Sequence, residues 1–223
     1  MKTIETERLT LRKYKISDFA AVHSYASSED NLIYIPREPN SEEQTREFIK
    51  MAIADADETP CLDYQFAIVM KDADKQIGGG NLTISGAEAE IGYMLHRDYW
   101  KQGYGTEVGK ALLMFGFEEL KLHRIIAHCD AENIGSYRIM EKIGMRREGL
   151  FIESRPPHKM SDKKYGDGLF YAILQDEVSR FVDKNTEIFH YIHILTQEKR
   201  GASPLLVGPG SCDQPQQLTE AIA

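Results

Sequence analysis

A mixed α+β domain, built on a central and mostly antiparallel sheet flanked by helices, follows from three features of the sequence. Short strand-like runs joined by tight turns fill the stretch from Tyr64 to Leu95. A long amphipathic run from Tyr104 to Leu120 comes next, and a buried-type strand, His123 to Cys129, stands directly after it. Hairpins pair strands antiparallel, whereas a strand–helix–strand passage requires a parallel crossover, so one sheet must contain both.

The elements can be justified in order. Thr6 to Tyr14 alternates, with Leu9 and Leu11 on one face and Arg8, Thr10 and Arg12 on the other, as a half-buried strand does. Ser17 reads as the N-cap of a short helix through Phe19, Val22 and Tyr25. Asn31 to Asn40 holds Pro36 and Pro39 and shows no period, so it is a loop. Ser41-Glu42-Glu43-Gln44 has the form of a capping box, opening a helix that buries Phe48, Ile49 and Ile53.

Strands are expected at Tyr64 to Met70, Gln76 to Ser85 and Glu88 to Leu95, with turns at Lys71 to Lys75 and at Ser85-Gly86. A polar loop, His96 to Gln102, leads into the long helix, whose Val108, Ala111, Leu112 and Phe115 recur at helical spacing. After the strand His123 to Cys129, a helix from Ile134 to Ile143 stops at Gly144, and strands at Glu148 to Glu153 and Leu169 to Leu174 close the domain. The domain spans residues 1–183. Residues 184–223 form an extension: Glu187 to Leu195 has the apolar content for one more element, and Gly201 to Ala223 is rich in Gly, Pro, Gln and Ser, as flexible segments are. Such a tail either hangs free or docks across the interface of a homodimer.

Of the 223 residues, 42% are hydrophobic and 28% charged, which is enough for a real core. No run approaches the roughly 18 apolar residues of a membrane span. Cys61, Cys129 and Cys212 stand apart, without a C-x-x-C pair, which points to a reducing cytoplasm and away from a disulfide framework or a cysteine zinc site. The pair His190 and His193 lacks a third ligand, so no metal is expected. A net charge of −8 disfavours broad contact with nucleic acid or anionic lipid and favours a cationic partner such as an amine.

The most informative segment is Trp100-Lys101-Gln102-Gly103-Tyr104-Gly105-Thr106, which stands at the head of the long helix. A glycine-rich turn entering a helix offers free N–H groups and the positive end of the helix dipole to a phosphate or pyrophosphate. It is neither of two familiar phosphate loops. Thr106-Glu107 replaces the Lys-Ser/Thr of a P-loop, and Val108 stands where a dinucleotide fingerprint has its third glycine. Gly109 permits close helix packing.

Several pieces in one order carry a resemblance: Glu7-Arg8-Leu9-Thr10-Leu11-Arg12, Ala89-Glu90-Ile91-Gly92-Tyr93, Tyr99 to Glu107, Asn133-Ile134-Gly135-Ser136, Glu141-Lys142-Ile143-Gly144-Met145 and Glu148-Gly149. Over roughly residues 3–176 the chain resembles the GNAT superfamily of N-acetyltransferases, and within it the RimJ/RimL-like group that acetylates ribosomal-protein N-termini. Trp100 departs from the Gln or Arg with which the superfamily's loop usually begins.

The resemblance implies a sheet whose central strands, Glu88–Leu95 and His123–Cys129, splay apart around the pantetheine arm of acetyl-CoA. It places the pyrophosphate on Lys101, Gln102, Gly103, Tyr104, Gly105 and Thr106, and the arm on the backbone near Leu95 and on the side chains of Asn133 and Ser136. Asn133 is equally well placed to cap the following helix. The amine attacks only when neutral, so the reaction needs a proton acceptor and a donor for the thiolate. Glu90 is the implied base, with Glu88 second. Ser136 is the implied acid, with Tyr137 second, because the tyrosine of many relatives falls at Met140. Cys129 reads as a small buried hydrophobe, and His96, His123, His128, Trp100 and Tyr104 read as structural. The implied acceptor is a protein N-terminal α-amine. A small-molecule amine, or an acetyl-CoA-binding module without catalysis, is the alternative.

Overall fold

The computed structural model describes residues 1–182. The extension and the element expected at Glu187 to Leu195 lie outside them. Eight strands form one sheet: β1 (Ile4–Glu5), β2 (Leu9–Arg12), β3 (Asp63–Met70), β4 (Lys75–Ser85), β5 (Glu88–Leu95), β6 (Arg124–Asp130), β7 (Arg146–Arg155) and β8 (Gly166–Leu174), in the spatial order β1-β2-β3-β4-β5-β6-β8-β7. Every pairing is antiparallel except that of β5 with β6. The helix between those two, α3 (Tyr104–Met114), makes the expected crossover and runs on through a π-helical turn, Phe115–Glu119.

α1 (Phe19–Ala26) and α2 (Glu42–Asp55) cover one face of the sheet, while α3 and α4 (Ile134–Lys142) cover the other. Each face carries its own core. Leu9, Leu11, Phe66, Ile68, Leu82, Ile91, Val108, Leu112 and Ile125 lie under α3 and α4. Tyr14, Val22, Leu32, Ile49, Ala67 and Met94 lie under α1 and α2. Burial of this extent, at about 25 cal/mol per Å² of apolar surface, is the main force holding the layers together.

Local chemistry explains most boundaries. The Ser41 hydroxyl accepts from the Gln44 N–H at 3.2 Å and the Ser41 N–H donates to Gln44 Oε1 at 2.8 Å, so the expected capping box opens α2. Gly144, at φ +92°, ends α4. Three expectations change. The strand expected over Thr6 to Tyr14 is shortened to β2, because the Thr6 hydroxyl turns back on Leu9, accepting its N–H at 2.9 Å, and makes a tight turn after the short β1. Ser17 lies inside a 3₁₀ turn, Ile16–Asp18, and Asp18 instead takes the Lys15 N–H at 2.8 Å and a bidentate pair from Arg12. A further helix, α5 (Gln175–Val182), follows β8 and was not foreseen. Among the described residues no helix is long and apolar enough to cross a membrane.

Candidate functional site

The parallel pairing of β5 with β6 is short. Register holds from Glu88↔Arg124 to Glu90↔Ile126 and stops there, although β5 continues to Leu95 and β6 to Asp130. The two central strands therefore splay. Arg124 closes the paired end, bridging Glu88 at 3.1 Å and Glu148 at 2.6 Å. Glu88, the second-ranked base, is committed to that bridge.

At the open end lies the head of α3. Gly103 adopts φ +86°, a left-handed conformation that a side chain would strain, and it serves as N-cap without any side-chain hydrogen bond. The Glu107 N–H returns to the Gly103 carbonyl at 3.1 Å, so the N–H groups of Tyr104, Gly105 and Thr106 fall in the unpaired first turn. Lys101 and Gln102 are exposed beside them, and the Gln102 side chain donates to the Asp98 carbonyl at 2.7 Å. A Cβ on Gly105 would stand 2.6 Å from Ile139 Cδ1, so this glycine lets α3 pack on α4. Gly109 does the same against Ile143, at 3.0 Å.

The loop is held from a direction that the sequence did not reveal. Arg8 Nε meets Glu107 Oε2 at 2.7 Å, its Nη1 meets the Gln102 carbonyl at 3.1 Å, and the guanidinium sits 4.3 Å above the Tyr104 ring. Thr6 and the Arg8 N–H hold Glu107 Oε1, at 2.6 and 2.9 Å. The β1–β2 turn thus fastens both the loop and the first turn of α3.

The gap itself has two walls. The His96 N–H bonds the Ile77 carbonyl at 2.8 Å and Leu95 pairs with Gly78, so the backbone groups of Leu95 point away from β4 and into the gap. Its carbonyl accepts from Trp100 Nε1 at 2.8 Å and Asn31 Nδ2 at 2.7 Å, which fills both lone pairs. A ligand would meet this edge through N–H groups. Trp100 is thus a strut as well as a packing residue. On the α4 side, Asn133 Oδ1 accepts the Ser136 N–H at 3.1 Å, so Asn133 is the helix cap that the sequence allowed. The Tyr93 hydroxyl lies 3.4 Å from the Ser136 carbonyl, and burial holds this phenol protonated well above its ordinary range. Burial also pushes the Cys129 thiol up to about 11, against a lowering contact with Ser136, so Cys129 is no thiolate at neutral pH. Met140 is buried in the core, and Tyr137 packs half-buried at its edge. Tyr93 was absent from the sequence-derived site.

On the opposite face stands Glu90. Ala89, Ile91 and Leu95 join the core under α3 and α4 while Met94 joins the other, so Glu90, Gly92 and Met94 face α1 and α2, as period two requires. Ile125, Ala127 and Cys129 likewise assign His128 to the face of Glu90. The two side chains meet across the start of the splay, with Nδ1 of His128 at 2.6 Å from Glu90 Oε1. Sequence reasoning took His128 as structural, because no motif links it to Glu90. Only the sheet does.

The Acetyltransferase (GNAT) domain family matches residues 8–146. The uncharacterized N-acetyltransferase YnaD of Bacillus subtilis (strain 168) is 37% identical over 181 residues, covering 78% of this chain and 98% of YnaD. A GNAT-family acetyltransferase from Bacillus anthracis superposes with a TM-score of 0.68 at 37% identity, over 78% of this chain and 99% of that one. The fold is also that of RimL, a ribosomal L7/L12 alpha-N-protein acetyltransferase solved in complex with coenzyme A, with a TM-score of 0.67 at 20% identity over 79% and 99% of the two chains. A sheet splayed beside a helix N-terminus that no side chain caps, the matched domain and these relatives agree: the chain is an N-acetyltransferase and belongs to the GNAT family.

Proposed function

We propose that the protein transfers an acetyl group from acetyl-CoA directly to a primary amine, and that the amine is a protein N-terminus. The observation that carries the reading is the short β5–β6 pairing, with α3's unpaired N–H groups at its open end and Glu90 at its closed end. The backbone of Lys101 to Thr106 would hold the pyrophosphate, and the edge of Leu95 with Asn133 and Ser136 would flank the arm. Glu90 supplies the negative charge that draws the proton off the attacking amine. Ser136, Tyr137 or Tyr93 serves the departing thiolate. The RimL-like fold supports an N-terminal acceptor, because an α-amine, with a reference pKa of about 7.7–8.0, is neutral more often than a lysine.

One observation favours a second reading, transfer to a small diamine. Asp63 shares the face of Glu90 two strands away, held by the Thr83 hydroxyl at 2.8 Å and by Gln65, and the Asp55 carboxyl is raised by burial and then by Asp63 and Glu58. Thiol release measured over a panel of acceptors decides. Peptides with a free, small N-terminal residue should outrun N-blocked peptides that offer only lysine. Equal rates, or turnover confined to diamines, would replace the first reading with the second. Acetyl-CoA binding without thiol release on any amine would refute both.

A further inference from the structure

We infer that the atom taking the proton from the attacking amine is Nε2 of His128, and that Glu90 acts by holding this ring; the inference rests on the acetyl-transfer reading above. The carboxylate biases where the ring's hydrogen sits. With a carboxylate oxygen 2.6 Å from Nδ1, charge favours the tautomer that carries hydrogen on that nitrogen. In the neutral ring the acceptor lone pair then lies on Nε2. Among the described residues no hydrogen-bond partner meets Nε2, and the His128 side chain is 36% exposed against 24% for Glu90. The exposed member of the couple is the imidazole. The carboxylate stands behind it.

Placement agrees with this assignment. His128 lies two residues past Ile126, the last residue of β6 that pairs with β5, so it stands where the splay begins. Phe170 is its cross-strand neighbour on β8, giving the ring an apolar flank on that side. On the acetyl-transfer reading, an arm entering from the head of α3 would end its run at this closed end of the gap. Charged groups also surround the couple: Glu88, Arg124 and Glu148 are engaged with one another at the paired end of the strands.

The step balances. The amine lone pair attacks the thioester carbonyl carbon and forms the C–N bond, the C–S bond breaks with its electrons on sulfur, and the nitrogen's proton passes to Nε2. The thiolate takes a proton from the Tyr93–Ser136 side or from water. His128 passes its proton to solvent before the next turnover.

Both assignments predict a slow Glu90→Gln enzyme, so the decision rests on His128. His128→Ala should lose about 10²-fold or more in kcat with unchanged acetyl-CoA affinity and melting temperature, and added imidazole should restore part of it in proportion to concentration. His128→Gln, which fills the space, should be equally slow and gain nothing from imidazole. A His128→Ala enzyme with near-full kcat, or one whose loss imidazole does not touch, overturns the inference. A readout independent of turnover keeps it separate from the acceptor question: ¹⁵N spectra of the wild-type ring should show hydrogen on Nδ1 and none on Nε2. The reverse tautomer would also overturn it, whatever amine the enzyme acetylates.

Discussion

The two faces of the sheet at the splay are built by different means. On the α3/α4 face the groups suited to an anionic ligand are backbone N–H donors at the end of a helix, shaped by Gly103 and packed through Gly105. On the α1/α2 face the polar groups are side chains, Glu90 and His128, that touch only because two strands far apart in sequence lie side by side. The first kind of site resists single changes of charge and fails when packing fails. The second kind depends on single side chains rather than on the packing of the backbone.

Gly105→Val should break this contrast most visibly. Its Cβ would already sit 2.6 Å from Ile139 Cδ1, so larger branches push α4 off α3, and overpacking of this sort costs about 1–3 kcal/mol. The melting temperature should fall by several degrees and acetyl-CoA affinity should fall with it. Ile139→Ala in the same chain should recover much of both. Lost affinity at an unchanged melting temperature would mean that Gly105 serves the ligand alone.

Much of the α3/α4 face was legible because its signals are local. The Gly103–Gly105 turn, the cap at Asn133 and the stop at Gly144 each lie within a few residues of what they control. The capping box at Ser41 was legible for the same reason. What escaped depends on pairs brought together by topology: Arg8 with Glu107, Trp100 and Asn31 on the Leu95 carbonyl, and His128 with Glu90. Thr6 shows a subtler failure. Alternation starts at it, yet its hydroxyl offers Leu9 a closer partner than a neighbouring strand would, and the strand begins only at Leu9.

A smaller effect sharpens the comparison from the ligand-binding side. Arg8 ties Glu107 and the Gln102 carbonyl, but its side chain is 42% exposed. Exposed pairs contribute about 0–1 kcal/mol, so Arg8→Ala should weaken acetyl-CoA binding no more than about fivefold. The acceptor's KM should not move. Calorimetry for the first and steady-state kinetics for the second check the pair, and a change confined to the acceptor would show that the turn serves the other face.

The smallest expected effect lies at the β7–β8 connection, which reaches back over the loop between α1 and α2. The Lys159 N–H bonds the Ile33 carbonyl at 3.0 Å, and the His158 ring stands edge-on to Tyr34 at 5.2 Å. This connection is fastened to the turn before α4 by Glu132, which accepts from Lys163 at 2.7 Å and meets His158 Nε2 at 2.7 Å. Lys163, and then His158, hold the Glu132 carboxyl down at about 2 against an ordinary 4.5. A carboxylate depressed in the folded state contributes at every pH above its ordinary value, and that contribution fades as the pH falls from about 4.5 to about 2. The group is exposed and solvent screens it, so global stability should barely register the change. The carboxyl ¹³C resonance of Glu132 should therefore titrate near 2, while amides of residues 158–165 shift over the same range and those of Gly103 to Thr106 stay still. A midpoint near 4.5 would mean that Lys163 and His158 do not hold Glu132 in solution.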